Sequence, residues 1–312
     1  MGIPNQWMYY WTSNGKHHFL LPFVLSVKSV LKIEKPDNIF IYYNDPEPND
    51  RTWIYLKTLP VTFIKFNPYD FKFDFLSDKF YEILSTKIDS KENPYRHFHL
   101  SDIARYLRLY KSGGVYYDFD TLAIKSIHPF MKEDIFLPSC GDKTCQIRNL
   151  NGDKEQSSLA NGNLGVTSGH SFYRKILELV DQKLTTRESW GKTDFGPPLI
   201  AETKLYFPET RVLDYFVFHC VGHTGKAARY KKIDFYYRDV YKTNIEIPKE
   251  AYCLHMHTGK TQSRRQMSLR NGVRYLIENK ENNTFSRYYF KYLDEELIEW
   301  FKNHETAGIV NF

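Results

Sequence analysis

Residues 101–121 read "SDIARYLRLYKSGGVYYDFDT", and this segment contains the clearest indications of the fold. The apolar residues of 100–110 recur at helical spacing, with Ser101 as the predicted N-cap and Gly113 as the predicted stop. Residues 115–117 are apolar and predict a short buried strand. The stretch is therefore a helix, a glycine turn and a strand that ends on a pair of carboxylates.

The flanking sequence extends this unit into an open sheet. Continuous or alternating apolar runs predict strands at 8–11, 39–43 and 61–66, and helical spacing predicts a helix over 19–32. A further short strand is predicted at 135–137. Strands that alternate with helices are typical of an α/β fold with helices on both faces of the sheet.

The later chain predicts further helices but no separate domain. Helical patterns begin at Ser171 and cover 293–301, whereas 140–156 and 190–198 have the polar or Gly/Pro-rich composition of loops. The sequence contains no internal repeat and no clear linker. We therefore expect one domain over 1–312, with a core of about 1–265 and a helical C-terminal extension over 266–312.

The carboxylates Asp118 and Asp120 lie at the predicted carboxyl end of a strand, which is the edge where open α/β sheets bind ligands. Where a strand turns, both side chains can converge on one ion, and Mg²⁺ or Mn²⁺ prefers such oxygen ligands. A bare D-x-D pair is weak support for a metal site, because it also occurs in ordinary loops. The sequence around the pair provides the stronger indication.

The whole of 101–127 resembles the DXD sugar-binding region of glycosyltransferase family 32, which large glucosylating bacterial toxins share. The matching positions are Ser101, Asp102, Arg105, Tyr106, Gly113, Gly114, Tyr117, Asp118 and Asp120. Weaker similarities lie in "IPNQWMYYW", in "NGNLGVTSGHSFYRKIL" with Asn161 or Asn163, at Gly196-Pro197, and in "LHMHTGKTQS".

The resemblance implies a GT-A-type fold, a Rossmann-like open mixed sheet flanked by helices, with the C-terminal helices as additions. It also implies a metal-dependent transferase that moves a hexosyl or N-acetylhexosaminyl unit from a UDP-sugar to a glycan or other hydroxyl acceptor, with retention of configuration. Because some family members use GDP-mannose, the donor base stays open, as do the acceptor and the linkage.

The resemblance also implies roles for single residues. Asp120 would bind Mn²⁺ or Mg²⁺ directly, and Asp118 would bind it through water or hold the donor. Asp102 and Arg105 share a helix face and would contact the donor sugar and diphosphate, although a structural ion pair is the alternative. The full donor-binding set expected is Tyr10, Trp11, Asp102, Arg105, Tyr117, Asp118, Asn163, Gly196 and Lys260.

A histidine near the C-terminal end of the core would complete the metal site. His255 matches the family position better, and His257 is the alternative ligand. Lys260 would offset the charge of the departing diphosphate. A single histidine in such a position is more often structural, so the choice between the two residues stays open.

Two other functions fit part of the pattern. The haloacid-dehalogenase phosphatases carry D-x-D-x-T with a nucleophilic first aspartate, but Leu122 stands where that signature needs Thr or Val. A degenerate transferase that only binds nucleotide-sugars or glycans is the second alternative. The intact set of Asp102, Arg105, Asp118 and Asp120 argues against this second alternative.

Composition limits the partners and the compartment. The net charge of +6 over 312 residues suits a polyanionic ligand or a peripheral membrane contact, and no nucleic-acid-binding motif is present. Free thiols are favoured over a bridge between Cys140 and Cys145. No signal peptide or anchor is recognisable, which predicts a cytoplasmic enzyme of a bacterium or a large virus, with the Golgi lumen as the alternative if an anchor was removed. The sequence does not predict the oligomeric state.

Overall fold

The computed structural model describes residues 2–12, 19–139, 145–148, 154–157, 159–214, 217, 244, 246–256 and 269–305. The strands are β1 (Gln6–Trp11), β2 (Asn38–Tyr43), β3 (Thr62–Lys65), β4 (Gly114–Tyr117), β5 (Thr121–Ala123), β6 (Ile135–Pro138), β7 (Cys145–Arg148), β8 (Lys154–Ser157), β9 (Asn163–Val166), β10 (Val212–Leu213) and β11 (Cys253–His255). The helices are α1 (Leu21–Ile33), α2 (Arg51–Leu56), α3 (Asp78–Ile83), α4 (Arg96–Ser112), α5 (Ser171–Thr186), α6 (Pro197–Lys204), α7 (Leu269–Asn279), α8 (Thr284–Phe290) and α9 (Glu295–Glu305).

Seven of these strands form one open sheet in the order β10-β6-β9-β4-β1-β2-β3. Strands β4, β1, β2 and β3 run parallel to one another, whereas β9 runs antiparallel to both β4 and β6. The predicted open mixed sheet with flanking helices is confirmed. The carboxyl ends of β1, β2 and β4 meet at one edge, and the two aspartates follow β4 at that edge.

Two glycines allow α4 to turn directly into β4. Gly113 has a φ of 64° and Gly114 a φ of 102°, a backbone region that favours glycine. A Cβ atom on Gly113 would lie 2.6 Å from the backbone nitrogen of Ser168, and one on Gly114 would lie 2.6 Å from the carbonyl oxygen of Gln6. The glycine pair therefore lets the helix end pack tightly against the sheet.

The two faces of the sheet bury separate apolar clusters because side chains alternate along a strand. On β1, Trp7 and Tyr9 enter the cluster that contains residues of α1 and the C-terminal helices. Met8 and Tyr10 enter the opposite cluster, which contains residues of α3, α4, α5 and α6. Helix α4 thus fixes the residues before the aspartates against one face, and α1 packs on the other.

A second, two-stranded antiparallel sheet of β5 and β11 lies beside the main one. Helix α1 holds it through two serine hydroxyls: Ser26 donates to the carbonyl of Thr121, and Ser29 accepts from the backbone nitrogen of Ala123 at 2.9 Å. Tyr292 donates to the carbonyl of Ala123 at 2.7 Å. These contacts fix the strand that immediately follows Asp120.

The structure differs from the sequence prediction at several element ends. Helix α4 begins at Arg96 rather than at Ser101, because an added first turn is held by buried His99, which packs edge-on against Phe195. Helix α5 has His170 as its N-cap, one residue before the predicted Ser171, and its Nδ1 accepts from the backbone nitrogen of Phe172 at 3.1 Å.

Two predicted loops contain regular structure. Pro197 and Pro198 occupy the first turn of α6, where proline is favourable because its missing N–H would have no helical partner. The polar segment 140–156 contributes the antiparallel pair β7–β8. The predicted C-terminal helix over 293–301 appears as α9, preceded by α7 and α8. Within the described ranges, no helix is both long enough and apolar enough to cross a membrane.

Candidate active site

Two carboxylates and one imidazole converge at the carboxyl edge of the sheet. Asp118 and Asp120 lie between β4 and β5, and His255 ends β11. The His255 Nε2 atom lies 2.9 Å from Oδ1 of Asp120 and 3.7 Å from Oδ2 of Asp118. One ligand atom from each residue falls within 4.8 Å of the others, so the three side chains could hold one metal ion.

The β5–β11 pairing brings His255 to the aspartates from far along the chain. His255 pairs with Thr121, and the backbone nitrogen of Met256 donates to the carbonyl of Asp120 at 2.9 Å. His255 is 7% exposed, whereas the Asp118 side chain retains 29% exposure. The imidazole is therefore fixed in the wall of the site, and Asp118 faces its opening.

Asp102 and Arg105 form a buried ion pair beside this cluster rather than a surface pair. Their charged atoms lie 3.1 Å apart, and Arg105 also lies 3.5 Å from Oδ1 of Asp118. The side-chain amide of Asn161 donates to Asp102 at 2.8 Å, and the backbone carbonyl of Asn161 accepts from Arg105 at 2.5 Å. The charges of Asp102 and Arg105 are thus desolvated and linked to Asp118.

The electrostatics of this pair follow from its burial. Desolvation raises the pKa of Asp102 to about 6, against the opposing effect of Arg105. Burial disfavours the charged form of Arg105, but Tyr116, Asp102 and Asp118 together raise the pKa of its guanidinium above the usual range. The hydroxyl and carbonyl oxygens of Ser101 also accept from this guanidinium, at 2.7 Å and 3.0 Å. Arg105 is consequently a fixed positive charge that serves both aspartates.

Tyr116, and not the predicted Tyr117, lies at the site. The Tyr116 hydroxyl donates to Oδ1 of Asp118 at 2.7 Å, and the Arg105 guanidinium lies 4.2 Å from the centre of its ring. Tyr117 points to the opposite face of β4, where it is fully buried and packs edge-on against Trp7. Strand alternation explains the difference, because residues 116 and 118 share a side.

The two asparagines of the "NGN" segment have different surroundings. Asn161 contacts the Asp102–Arg105 pair, as described above. Asn163 is 1% exposed; it accepts from the Thr121 hydroxyl at 2.9 Å, and its amide lies 2.9 Å from the Cys253 sulfur. Cys253 is fully buried. Asn163 therefore connects β9 with the β5–β11 sheet behind the site.

Two glycines allow the backbone to approach the charged groups closely. A Cβ atom on Gly162 would lie 2.7 Å from Oδ2 of Asp118 and 2.8 Å from Cε1 of His255. A Cβ atom on Gly196, which caps α6, would lie 3.1 Å from Oδ2 of Asp102. The predicted Gly196 therefore lies against the buried pair, and Gly162 fills a place where a larger residue would collide.

The aromatic residues at the end of β1 lie on opposite faces of the sheet. Trp11 is half-buried among Phe19, Phe23 and Phe119. Tyr10 is buried in the other cluster, edge-on to Phe66. The remaining predicted site residues, His257 and Lys260, lie outside the described residues.

The sequence prediction missed Asn161 as the partner of Asp102, Tyr116 as the partner of Asp118, and the close packing of Gly162. The position of Tyr116 could have been predicted from the alternation of side chains along β4, because a side chain two residues before Asp118 lies on the same side of the strand. The contact with Gly162 depends on β9 pairing with β4, so no local pattern predicts it.

The comparisons with known proteins agree with this geometry. The family model described as "Glycosyltransferase sugar-binding region containing DXD motif" matches residues 24–137, which include α1, α4, β4 and both aspartates. Residues 24–137 thus carry a glycosyltransferase sugar-binding region of the DXD type. The suspected relationship to the DXD glycosyltransferases is thereby confirmed, and the segment matched contains the Asp102–Arg105 pair.

Several solved structures are similar to this chain at low sequence identity. The galactosyltransferase LgtC, solved with donor and acceptor sugar analogues, is 14% identical over 95% of this chain and 99% of its own, with a TM-score of 0.48. Mouse xyloside xylosyltransferase 1 is 12% identical over 82% of this chain and 98% of its own, with a TM-score of 0.48. The PaToxG glycosyltransferase is 16% identical over 74% of each chain, with a TM-score of 0.45. A comparison with curated protein sequences gives no match. The family match, and not these distant likenesses, carries the assignment.

Proposed function

We propose that this glycosyltransferase is metal-dependent and moves a hexosyl or N-acetylhexosaminyl unit from a UDP-sugar to a hydroxyl acceptor with retention of configuration. The observation that carries the proposal is the convergence of Asp118, Asp120 and His255 within 4.8 Å, beside the buried Asp102–Arg105 pair. Nothing in the arrangement favours a phosphatase or a protein that only binds glycans.

The three proposed metal ligands suit a divalent cation of intermediate hardness. Two carboxylates and one imidazole suit Mn²⁺, and Mg²⁺ is the alternative if the oxygens dominate. When bound, such an ion supplies Lewis-acid stabilisation of the leaving diphosphate. Asp120 and His255 are the side chains that would hold it directly, with Asp118 as the third ligand or a ligand through water.

Asp102 would contact the donor sugar, whereas Arg105 would act mainly through the carboxylates beside it. The hydrogen bonds of Arg105 are directed to Ser101, Asn161 and the carboxylates, so we infer that it mainly positions Asp102 and Asp118 and offsets their negative charge. Asp102 would accept hydrogen bonds from donor sugar hydroxyls. Removal of the arginine would leave buried carboxylates without a counter-charge.

The nucleotide would lie at the carboxyl ends of β1 and β2. Four buried polar atoms there have no hydrogen-bond partner among the residues that the structure describes: the Tyr10 hydroxyl, the Trp11 indole nitrogen, the Thr12 hydroxyl and the Asn44 side-chain oxygen. Buried polar groups are usually paired, so unpaired groups at a ligand-binding sheet edge support a polar ligand. A uracil base and its ribose supply matching donors and acceptors.

The reaction we propose needs no protein nucleophile. The acceptor oxygen forms its bond to the anomeric carbon on the face from which the diphosphate leaves. The bond between that carbon and the diphosphate oxygen breaks, and its electron pair stays on the diphosphate. The acceptor proton passes to an oxygen of the departing phosphate, so the transfer is balanced without a covalent enzyme intermediate.

The acceptor would approach past the loop at 190–198. This loop adjoins the donor residues on two sides: the His99 ring lies 2.9 Å from the carbonyl of Gly191, and Gly196 lies against Asp102. Loops that border a rigid site commonly carry specificity. We infer that 190–198 contributes to acceptor choice, together with 140–156 and 221–232, which lie largely outside the described residues.

The test is donor hydrolysis by an Asp120→Asn variant, measured over a panel of UDP- and GDP-sugars with Mn²⁺, with Mg²⁺ and with EDTA. We expect turnover to fall at least about a hundredfold, because the variant loses a charged ligand of the ion. The charge-matched control is Asp74→Asn, because Asp74 is an exposed aspartate that is not one of the proposed ligands. Unchanged activity of Asp120→Asn, or equal rates in EDTA, would remove the metal from the mechanism.

A further inference from the structure

A second cleft, of about 440 Å³, opens at the other end of the β5–β11 sheet. Its walls include Ile124 and Lys125, which follow β5, and Ala251, which precedes β11. The metal-ligand cluster lies at the opposite end of the same two strands, where Thr121 pairs with His255. The cleft is therefore a separate site, and its volume is sufficient for a small ligand or a headgroup.

Four lysines surround this cleft: Lys32, Lys125, Lys249 and Lys291. They come from the end of α1, from the residue pair after β5, from the segment before β11 and from the end of α8. All four are exposed, and the described residues that line the cleft include no aspartate or glutamate. Four segments distant in sequence thus direct like charges to one opening, which produces a positive potential there.

None of the four ammonium groups forms an ion pair with a described carboxylate, although lysines elsewhere in the described chain do. The paired lysines are Lys28, Lys57, Lys65, Lys72, Lys175 and Lys183. The nearest acids in sequence, Glu34 and Glu250, do not line the cleft. Glu34 is fully buried and accepts from the Ser126 hydroxyl at 2.9 Å and the Ile127 nitrogen at 3.1 Å.

Tyrosine rings hold three of these lysines in place without neutralising them. Lys291 lies 4.5 Å from the ring centre of Tyr288, Lys32 lies 5.7 Å from that of Tyr292, and Lys125 lies 5.5 Å from that of Tyr252. Cation–π contacts of this kind orient an ammonium group and leave its charge intact. Apolar side chains, such as Ile33 and Ile247, complete the walls.

We propose that this cleft is a second binding site for phosphate groups, carried by a soluble polyphosphate anion or by an anionic lipid headgroup. Several unpaired lysines around a concave, partly apolar surface fit a multiply charged ligand, because each ammonium offers three donors and no acceptor. Phosphate oxygens supply the missing counter-charge. The site is independent of the donor site, since it contains none of the residues placed there.

The test uses the full chain in EDTA, so that a metal-bound phosphate at the donor site does not contribute. Calorimetric titration with inositol hexakisphosphate tests a soluble anion, and co-sedimentation with phosphatidylcholine vesicles, with or without phosphatidylglycerol, tests a headgroup. The cleft variant carries Lys125→Gln, Lys249→Gln and Lys291→Gln. We expect it to bind at least about tenfold more weakly than the unmodified protein, with binding that falls as salt rises.

The matched control changes the same net charge elsewhere, with Lys57→Gln, Lys65→Gln and Lys72→Gln. Binding of either probe that is lost only in the cleft variant supports the site, and the probe that binds identifies the source of the phosphate. Equal losses in both variants, or no binding of either probe to the unmodified chain, overturn the proposal. Donor hydrolysis, measured separately with Mn²⁺ and without EDTA, should be unchanged by the cleft variant, so a failure of the proposed activity is distinguished from a failure of this binding site.

Discussion

A single methyl group at Gly162 should disturb the candidate metal site without changing any ligand. Gly162 precedes β9, and its carbonyl accepts from the backbone nitrogen of Asp118 at 2.8 Å. In a Gly162→Ala variant, the new Cβ would lie 2.7 Å from Oδ2 of Asp118 and 2.8 Å from Cε1 of His255. Asp118 and His255 are both proposed metal ligands, so the clash with the new Cβ would change the distance between them.

The size of the effect follows from these distances. Ordinary contacts of a Cβ begin at 3.4 Å, so Asp118 and His255 must retreat by about 0.7 Å and about 0.6 Å. His255 is almost fully buried and cannot rotate freely, so Asp118 or the backbone must take most of the movement. Misplacement of catalytic groups by about 1 Å costs up to a hundredfold in rate, so we expect turnover to fall about 10–100-fold.

Two assays separate this effect from unfolding. Titration of the protein with Mn²⁺, followed by electron paramagnetic resonance, should show weaker binding by about tenfold or more. Metal-dependent donor hydrolysis should fall in parallel, while the melting temperature without metal changes little. Gly191→Ala is the matched control, because its Cβ would meet its nearest neighbour, Asp194, at an ordinary 3.4 Å. The reasoning is refuted if Gly162→Ala binds Mn²⁺ and hydrolyses donor like the unmodified protein, or if both variants lose activity equally.

Three further variants test the surroundings of the site and the buried core. Arg105→Lys should lower thermal stability and reduce donor hydrolysis at least about tenfold, because lysine cannot replace the five-donor guanidinium; near-normal values of both would contradict its positioning role. Tyr116→Phe removes only the hydroxyl that donates to Asp118, so hydrolysis should fall a few-fold with the fold retained, as circular dichroism can check. Glu34 has a pKa raised by burial from 4.5 to about 7, so its stabilising contribution is complete below pH 4.5 and is lost as the pH rises through 7. The free energy of unfolding of Glu34→Gln, measured in urea, should therefore exceed that of the unmodified protein by about 1–3 kcal/mol between pH 5 and pH 8. Equal pH profiles of the two proteins would show that Glu34 is not buried in this way.

Local sequence patterns were sufficient for the central unit of the fold. The apolar spacing before Gly113, the two glycines and the buried run at 115–117 predicted α4, its end and β4, because helix and strand periods are read over a few residues. The first turn of α4 and all of α6 were missed. In the first case tertiary packing of His99 extends the helix, and in the second a proline pair was interpreted as a loop although it begins a helix.

Sequence patterns were enough to predict the open α/β sheet, the position of Asp118 and Asp120 at a strand end, and the helix face shared by Asp102 and Arg105. They did not show which groups meet at that strand end, and the three-dimensional structure was needed for that. The β5–β11 pairing brings His255 to Asp120, and the β4–β9 pairing places Asn161 and Gly162 against the carboxylates. Periodicity reports only contacts between neighbours in the chain, whereas these contacts arise because strands far apart in sequence pair side by side.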